Sequence, residues 1–102
     1  MEKSIAGKPI ELTEDGYMTD STQWDHEVAN GIAKEEEIEL GEKHFQVLEF
    51  LREKQESGAT LTIRSVGKSG IVDIKEFYTL FPGGPLKKAT RIAGISKPSS
   101  CV

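Results

Sequence analysis

Residues 81–95, FPGGPLKKATRIAGI, carry both a start and a stop signal for one helix. Pro85 suits the first helical position, where a missing backbone N–H costs no hydrogen bond. Gly94 suits the residue just past the end, which commonly adopts a left-handed conformation. The residues predicted to face inward are Leu86, Ala89 and Ala93. The stretch therefore predicts an amphipathic helix, and the polar segment 95–102 that follows is predicted to be a mobile arm.

Two longer helices are predicted upstream from the spacing of apolar residues. After Ser21, an apolar stripe recurs at i, i+4 and i+8 in Trp24, Val28 and Ile32. This helix is expected to end near the glutamates of residues 34–40, which we interpret as a solvated connector. The second helix spans residues 41–57 and stops at Gly58. Its apolar residues are Phe45, Val47, Leu48, Phe50 and Leu51.

Two short helices are predicted between residues 60 and 81. The first ends at Gly70, and the second opens with a capping-box spacing of Asp73 and Glu76 before Pro82 stops it. Such a pair has the length of a helix-turn-helix, with Arg64, Lys68 and Lys75 available to meet phosphates. The two acids at the start of the second helix would repel a nucleic-acid backbone, so nucleic-acid binding is the weaker alternative.

The N-terminal segment, residues 4–19, is predicted to form a small β-hairpin or meander with turns at Gly7-Lys8 and at Glu14-Asp15-Gly16. With about five helices, this predicts a helix-dominated α+β fold. The 102 residues suffice for one domain, which we take as residues 1–102 with 95–102 as its C-terminal arm.

The composition is that of a globular protein, with 36% hydrophobic and 29% charged residues. The N-terminus lacks the apolar core of a signal peptide, and we expect a cytoplasmic location. Residues 1–60 hold 15 acids and 6 bases, whereas residues 61–102 hold 2 acids and 7 bases. The second part is therefore locally basic, which is typical either of a surface for an anionic partner near Cys101 or of a solvated basic face. The candidate docking residues are Lys87, Lys88, Arg91 and Lys97.

Cys101 is the only cysteine in the sequence and its second-last residue. It has too few apolar neighbours in sequence to be anchored in a core, and it cannot form an internal disulfide. An extended segment from Gly94 would carry this thiol up to about 23 Å, at roughly 3.3 Å per residue. That reach suits a sulfur carrier, which receives a persulfide sulfur from one protein and presents it to another. His26 and His44 lie on separate helices without metal-site spacing, so no metal or cofactor is predicted.

Two stretches of the sequence resemble the TusE/DsrC family of sulfur-relay proteins. These are GYMTDSTQWDHEVANGIAKEEEIEL, residues 16–40, and the C-terminal pattern FPGGP…AGISKP…CV. The resemblance implies an orthogonal array of helices with a small N-terminal sheet, and it places the functional cysteine at Cys101. It also implies a basic residue at Arg64, expected near a folded-back arm.

The same resemblance bears on the pathway. Two-cysteine DsrC members carry a further cysteine at the position of Thr90, so this chain is more similar to TusE. The resemblance implies a TusBCD-like sulfur donor and a tRNA 2-thiouridylase as acceptor, for thiolation of the wobble uridine. Two departures leave open a DsrC-like paralogue that serves dissimilatory sulfite reductase: the segment 65–78 is shorter than in typical TusE members, and Ser96 replaces a usual proline.

Overall fold

The computed structural model describes residues 2–59 and 61–95. Two antiparallel strands precede five helices, with a 3₁₀ turn at Ser21–Gln23 between them. The elements are β1 (Glu2–Ile5), β2 (Lys8–Glu11), α1 (His26–Glu35), α2 (Glu42–Glu56), α3 (Ile63–Gly67), α4 (Ile74–Leu80) and α5 (Pro85–Ile92). This confirms the predicted α+β fold. No helix within the described ranges is long and apolar enough to cross a membrane.

The hairpin turn lies one residue earlier than the sequence suggested. Ile5 pairs with Lys8, which leaves Ala6 and Gly7 as the two turn residues. Both have positive φ, 53° and 78°, as the tight turns that match the twist of a hairpin require. The strands end at Glu11, and the predicted second turn is closed by a single bridge between Leu12 and Met18.

Helix α1 begins later than predicted, because two aspartates cap separate segments. The carboxylate of Asp20 caps the 3₁₀ turn, and that of Asp25 accepts a hydrogen bond from the Val28 N–H at 2.8 Å. Trp24 therefore lies between the two segments rather than on the helix. The residues of α1 that face the core are Val28, Ala29, Ile32 and Ala33.

Helices α2 to α4 follow the predicted order. The core face of α2 consists of Val47, Leu48 and Leu51, and Gly58 lies just past its end with φ 84°. Helix α3 ends at Gly67, three residues before the predicted Gly70. The Asp73 carboxylate caps α4 by accepting from the Glu76 N–H at 2.7 Å.

Helix α5 packs against α1, α2 and α4 and is the central helix of the fold. Pro85 occupies its first turn, as predicted. Its fully buried residues are Leu86, Ala89, Thr90 and Ile92, and Ala93 just after it is also fully buried. The Thr90 hydroxyl donates to the Leu86 carbonyl at 2.7 Å, so this buried polar group is satisfied within the helix.

An ion-pair cluster joins α5 to the end of α1. Arg91 Nη1 lies 2.6 Å from Glu36 Oε1, and Nη2 lies 3.0 Å from Glu35 Oε1. Arg91 Nε donates to the Gly16 carbonyl at 3.0 Å. Glu35 and Glu36 are thus the counter-charges of an arginine 55 or more residues away, which corrects their interpretation as a solvated connector.

We predict that alanine at Gly94 destabilises the protein more than alanine at Gly58. Both glycines follow a helix with positive φ, so each substitution costs about 1–2 kcal/mol of backbone strain. At Gly94 the new Cβ would also lie 2.6 Å from Trp24 Cδ1, whereas at Gly58 nothing lies within 4 Å. Overpacking should add about 1–3 kcal/mol at Gly94. Urea unfolding of both variants measures the difference, and equal losses would contradict the packing at Gly94.

We also predict that the Glu35–Arg91 pair loses its stabilising effect in acid. Burial acts to raise the pKa of Glu35, but hydrogen bonds from Lys3 and Arg91 outweigh it and lower that pKa below its usual 4.5. A lowered folded-state pKa stabilises the fold above the unfolded-state value and loses that effect as pH falls through the folded one. The stability gap between the native protein and Glu35→Gln should therefore be largest near pH 7 and shrink below about pH 4.5.

Urea midpoints across this pH range measure the gap. Glu39→Gln, an exposed neighbour, controls for the loss of one nearby negative charge. A gap that stays constant down to pH 3 would contradict the role assigned to Glu35.

Candidate functional site

Helix α5 ends in a turn that is defined by two backbone hydrogen bonds. The Ile95 N–H donates to the Thr90 carbonyl at 3.3 Å and the Gly94 N–H to the Arg91 carbonyl at 3.2 Å, the two bonds of a Schellman motif. Gly94 has φ 70°, as its predicted position past the helix requires. Ile95 is only 2% exposed, so the path of the backbone is fixed up to this residue.

Two side chains from other parts of the chain bind the last carbonyls of α5. Trp24 Nε1 donates to the Ile92 carbonyl at 2.7 Å, and Arg52 Nη1 donates to the Ala93 carbonyl at 2.8 Å. Arg52 Nη2 donates to the Ser21 carbonyl at 3.0 Å. A cation is favourable here because a helix C-terminus carries partial negative charge.

Arg52 also stacks on Trp24, with Cζ 4.3 Å from the ring centroid. Burial lowers the pKa of the Arg52 guanidinium, and the nearby Glu56 carboxylate acts in the opposite direction. An arginine stays charged under such a shift, because its ordinary pKa is above about 12. Trp24 could be noticed in the sequence through its apolar spacing, whereas nothing in the spacing of α2 singled out Arg52.

A surface cavity of about 390 Å³ opens beside this helix end. It is lined by Ser21, Thr22, Arg52, Gln55, Glu56 and Ile95. Its wall includes the last residue that the structure describes, from which residues 96–102 continue. The predicted functional residue Cys101, the docking candidate Lys97 and residues 96–102 of the predicted arm lie outside the described residues. Ile95, the first residue of the predicted arm, is described and buried.

The other predicted docking residues lie on two helices. Lys87, Lys88 and Arg91 share one side of α5, at spacings of three and four residues. Lys87 is exposed, whereas Lys88 lies 3.9 Å from Glu36 and Arg91 is held in its ion pairs with an exposed side-chain fraction of 15%. The positive charge available to a partner is therefore concentrated at Lys87. Arg64 is exposed at the second position of α3.

The two histidines have packing and capping contacts. The His26 ring stacks on Phe45 with centroids 4.4 Å apart and meets Trp24 edge-on. The His44 Nδ1 accepts from the Gly41 N–H, and its Nε2 lies 3.0 Å from the Leu80 carbonyl, to which it donates. Among the residues with described positions, no three potential ligands come together to hold a metal ion.

Comparison with known proteins identifies relatives of the whole chain. The family model described as "DsrC like protein" matches residues 4–102. A protein named sulfurtransferase TusE from Photorhabdus laumondii is 38% identical over 104 residues, which cover 94% of this chain and 94% of the relative.

Two solved structures are similar over the full length of both chains. The NMR structure of DsrC from Allochromatium vinosum has a TM-score of 0.81 and 36% identity, with 100% of each chain covered. The crystal structure of the oxidized γ-subunit of dissimilatory sulfite reductase (DsrC) from Archaeoglobus fulgidus has the same TM-score, identity and coverage. The resemblance first seen in two short stretches thus extends over sequence and fold, and the chain belongs to the family of DsrC-like proteins.

Proposed function

We propose that this protein is a sulfur carrier that moves persulfide sulfur on Cys101 between protein partners. The observation that carries the proposal is the full-length match to a family that includes a named sulfurtransferase, in a chain that possesses one thiol. That thiol lies six positions beyond Ile95, the last residue with a described position.

The transfer needs no external oxidant or reductant. The Cys101 thiolate attacks the terminal sulfur of a donor persulfide, R–S–SH. The S–S bond of the donor breaks as the new one forms, and the donor leaves as a thiol that takes up the proton released by Cys101. The products are R–SH and Cys101–S–SH, and a thiolate of the acceptor repeats the same attack on the carrier.

The carrier cannot discharge its sulfur by itself. Thr90 occupies the position at which the resemblance implies a second cysteine in two-cysteine DsrC members, and its buried hydroxyl is bonded to the Leu86 carbonyl. Because the sequence has no other thiol, Cys101–S–SH cannot resolve into an internal disulfide. Release therefore depends on the acceptor, which separates this protein from members that cycle through two thiols.

The direction of transfer that we propose runs from a TusBCD-like donor to a tRNA 2-thiouridylase in the cytoplasm. The identity to sulfurtransferase TusE, with the single thiol, supports this pathway. The proposed docking residues are Arg64, Lys87, Lys88, Arg91 and Lys97, among which Lys87 offers the most accessible charge on α5. An exposed basic residue accelerates encounter with an anionic partner.

A DsrC-like role is the second candidate, favoured by the similarity to solved DsrC structures. In that role the loaded protein would deliver sulfur to dissimilatory sulfite reductase and not to the thiouridylase. A transfer assay with each acceptor in turn therefore distinguishes the two pathways.

Nucleic-acid binding through α3 and α4 has less support. The Asp73 carboxylate caps the N-terminus of α4, which is the end that would approach a phosphate backbone.

We predict that the native protein gains the mass of one sulfur atom when incubated with glutathione persulfide. Cys101→Ser should show no gain, because it lacks the thiolate that attacks the donor. Intact-mass spectrometry measures both, and dithiothreitol should remove the added mass from the native protein. A native chain that stays unloaded, or a serine variant that loads equally, would reject the carrier role.

We predict that Lys87→Glu slows sulfur transfer from the loaded protein to the thiouridylase, by about tenfold at low salt if charge steers the encounter. The loss should diminish as salt rises, because screening weakens the interaction. Lys54→Glu on α2, also exposed, makes the same charge change elsewhere. Rapid-quench transfer assays at two salt concentrations measure the rates. Equal slowing by both variants would show that the transfer rate depends on net charge and not on Lys87.

A further inference from the structure

We propose that Arg52 and Trp24 are positioning residues for sulfur transfer, because they fix the point from which the cysteine-bearing segment extends. This inference rests on the proposed carrier function. Neither side chain needs to touch the sulfur. They act on the backbone at the end of α5, up to Ile95, the residue that precedes the cysteine-bearing segment in sequence.

The contacts converge on two consecutive carbonyls. The Ile92 carbonyl accepts from the Trp24 indole and the Ala93 carbonyl from the Arg52 guanidinium, at 2.7 and 2.8 Å. These are among the helix-end carbonyls that have no partner within the helix. The second nitrogen of Arg52 binds the Ser21 carbonyl, so one planar side chain ties the end of α5 to the 3₁₀ turn. The helix end is therefore held by side chains from other parts of the chain as well as by its own Schellman hydrogen bonds.

Side-chain packing further restricts the backbone at the end of α5. A Cβ at Gly94 would lie 2.6 Å from Trp24 Cδ1, so the indole lies directly against the glycine that turns the chain. The Arg52 guanidinium lies over the same ring, with Cζ 4.3 Å from the ring centroid. Ile95 is buried next to this pair and is the last residue with a described position.

The reach of the segment makes this anchor relevant to transfer. Cys101 is the sixth residue after Ile95, a span of at most about 20 Å at roughly 3.3 Å per residue. A displacement of the base displaces the whole region that the thiol can reach. Reacting atoms must meet at about 3–3.5 Å, and a misplacement of 1 Å can cost about 100-fold in rate. A defined starting point therefore reduces the search that the thiol makes in a partner's active site.

The experiment compares Arg52→Gln and Trp24→Phe with Lys54→Gln. Arg52→Gln removes the forked contact, and Trp24→Phe removes the indole donor while keeping an aromatic ring. Lys54→Gln removes one positive charge from the same helix at an exposed position. Arg52→Lys keeps the charge but cannot reproduce the planar fork. Each protein is loaded with glutathione persulfide and then mixed with increasing concentrations of the thiouridylase.

We expect all four variants to load at the native rate, because a small donor finds the thiol wherever the segment points. We expect kcat for transfer to the thiouridylase to fall about tenfold in Arg52→Gln, less in Trp24→Phe and in Arg52→Lys, and not in Lys54→Gln, with KM little changed. A role confined to stability would not separate the two reactions while the proteins remain folded, which circular dichroism verifies.

Native transfer rates in both Arg52→Gln and Trp24→Phe would overturn the proposal, and so would equal losses in loading and transfer. Should Arg52→Gln fail to fold, the loading and transfer rates of Trp24→Phe and Arg52→Lys test the same proposal. A native protein that loads but does not transfer to the thiouridylase would instead reject the thiouridylase as the acceptor. The same variants would then be compared with dissimilatory sulfite reductase as the acceptor.

Discussion

The burial of α5 is the constraint on which the rest of the structure depends. This helix contacts α1, α2 and α4, and its inward residues are excluded from solvent. Small residues such as Ala89 and Ala93 let the neighbouring helices approach closely, while Leu86 and Ile92 fill the space between them. Because the cysteine-bearing segment follows α5 in sequence, this buried helix is also the base of the proposed functional part.

Much of the architecture could be predicted from local signals. Pro85 and Gly94 indicated the ends of α5, Asp73 the start of α4, and Gly58 the end of α2. Each of these residues has a conformational or capping preference that acts within a few positions. The errors occurred where two local signals compete. Asp20 and Asp25 both cap, so the chain forms a short turn before α1 and Trp24 leaves the helix stripe.

Less of the candidate site could be predicted. Cys101 could be proposed from the sequence because a single thiol near the end of a polar segment is visible there, and it stays a prediction. The partners of Arg91 and Arg52 were not, because Glu35, Glu36, Ser21 and Ala93 are 31 to 56 residues away from them and only the tertiary fold brings these groups together. A charge count along the chain consequently overestimated the free positive charge of the C-terminal part.

The cluster of Arg91, Glu35 and Glu36 has a consequence for how the sequence can diverge. Replacing the arginine alone would leave both carboxylates without the cation that they share, and replacing either glutamate would leave part of a shielded guanidinium unmatched. Substitutions at these three positions should therefore be inherited together, so that correlated change between the end of α1 and the last turn of α5 is expected among descendants of a common ancestor.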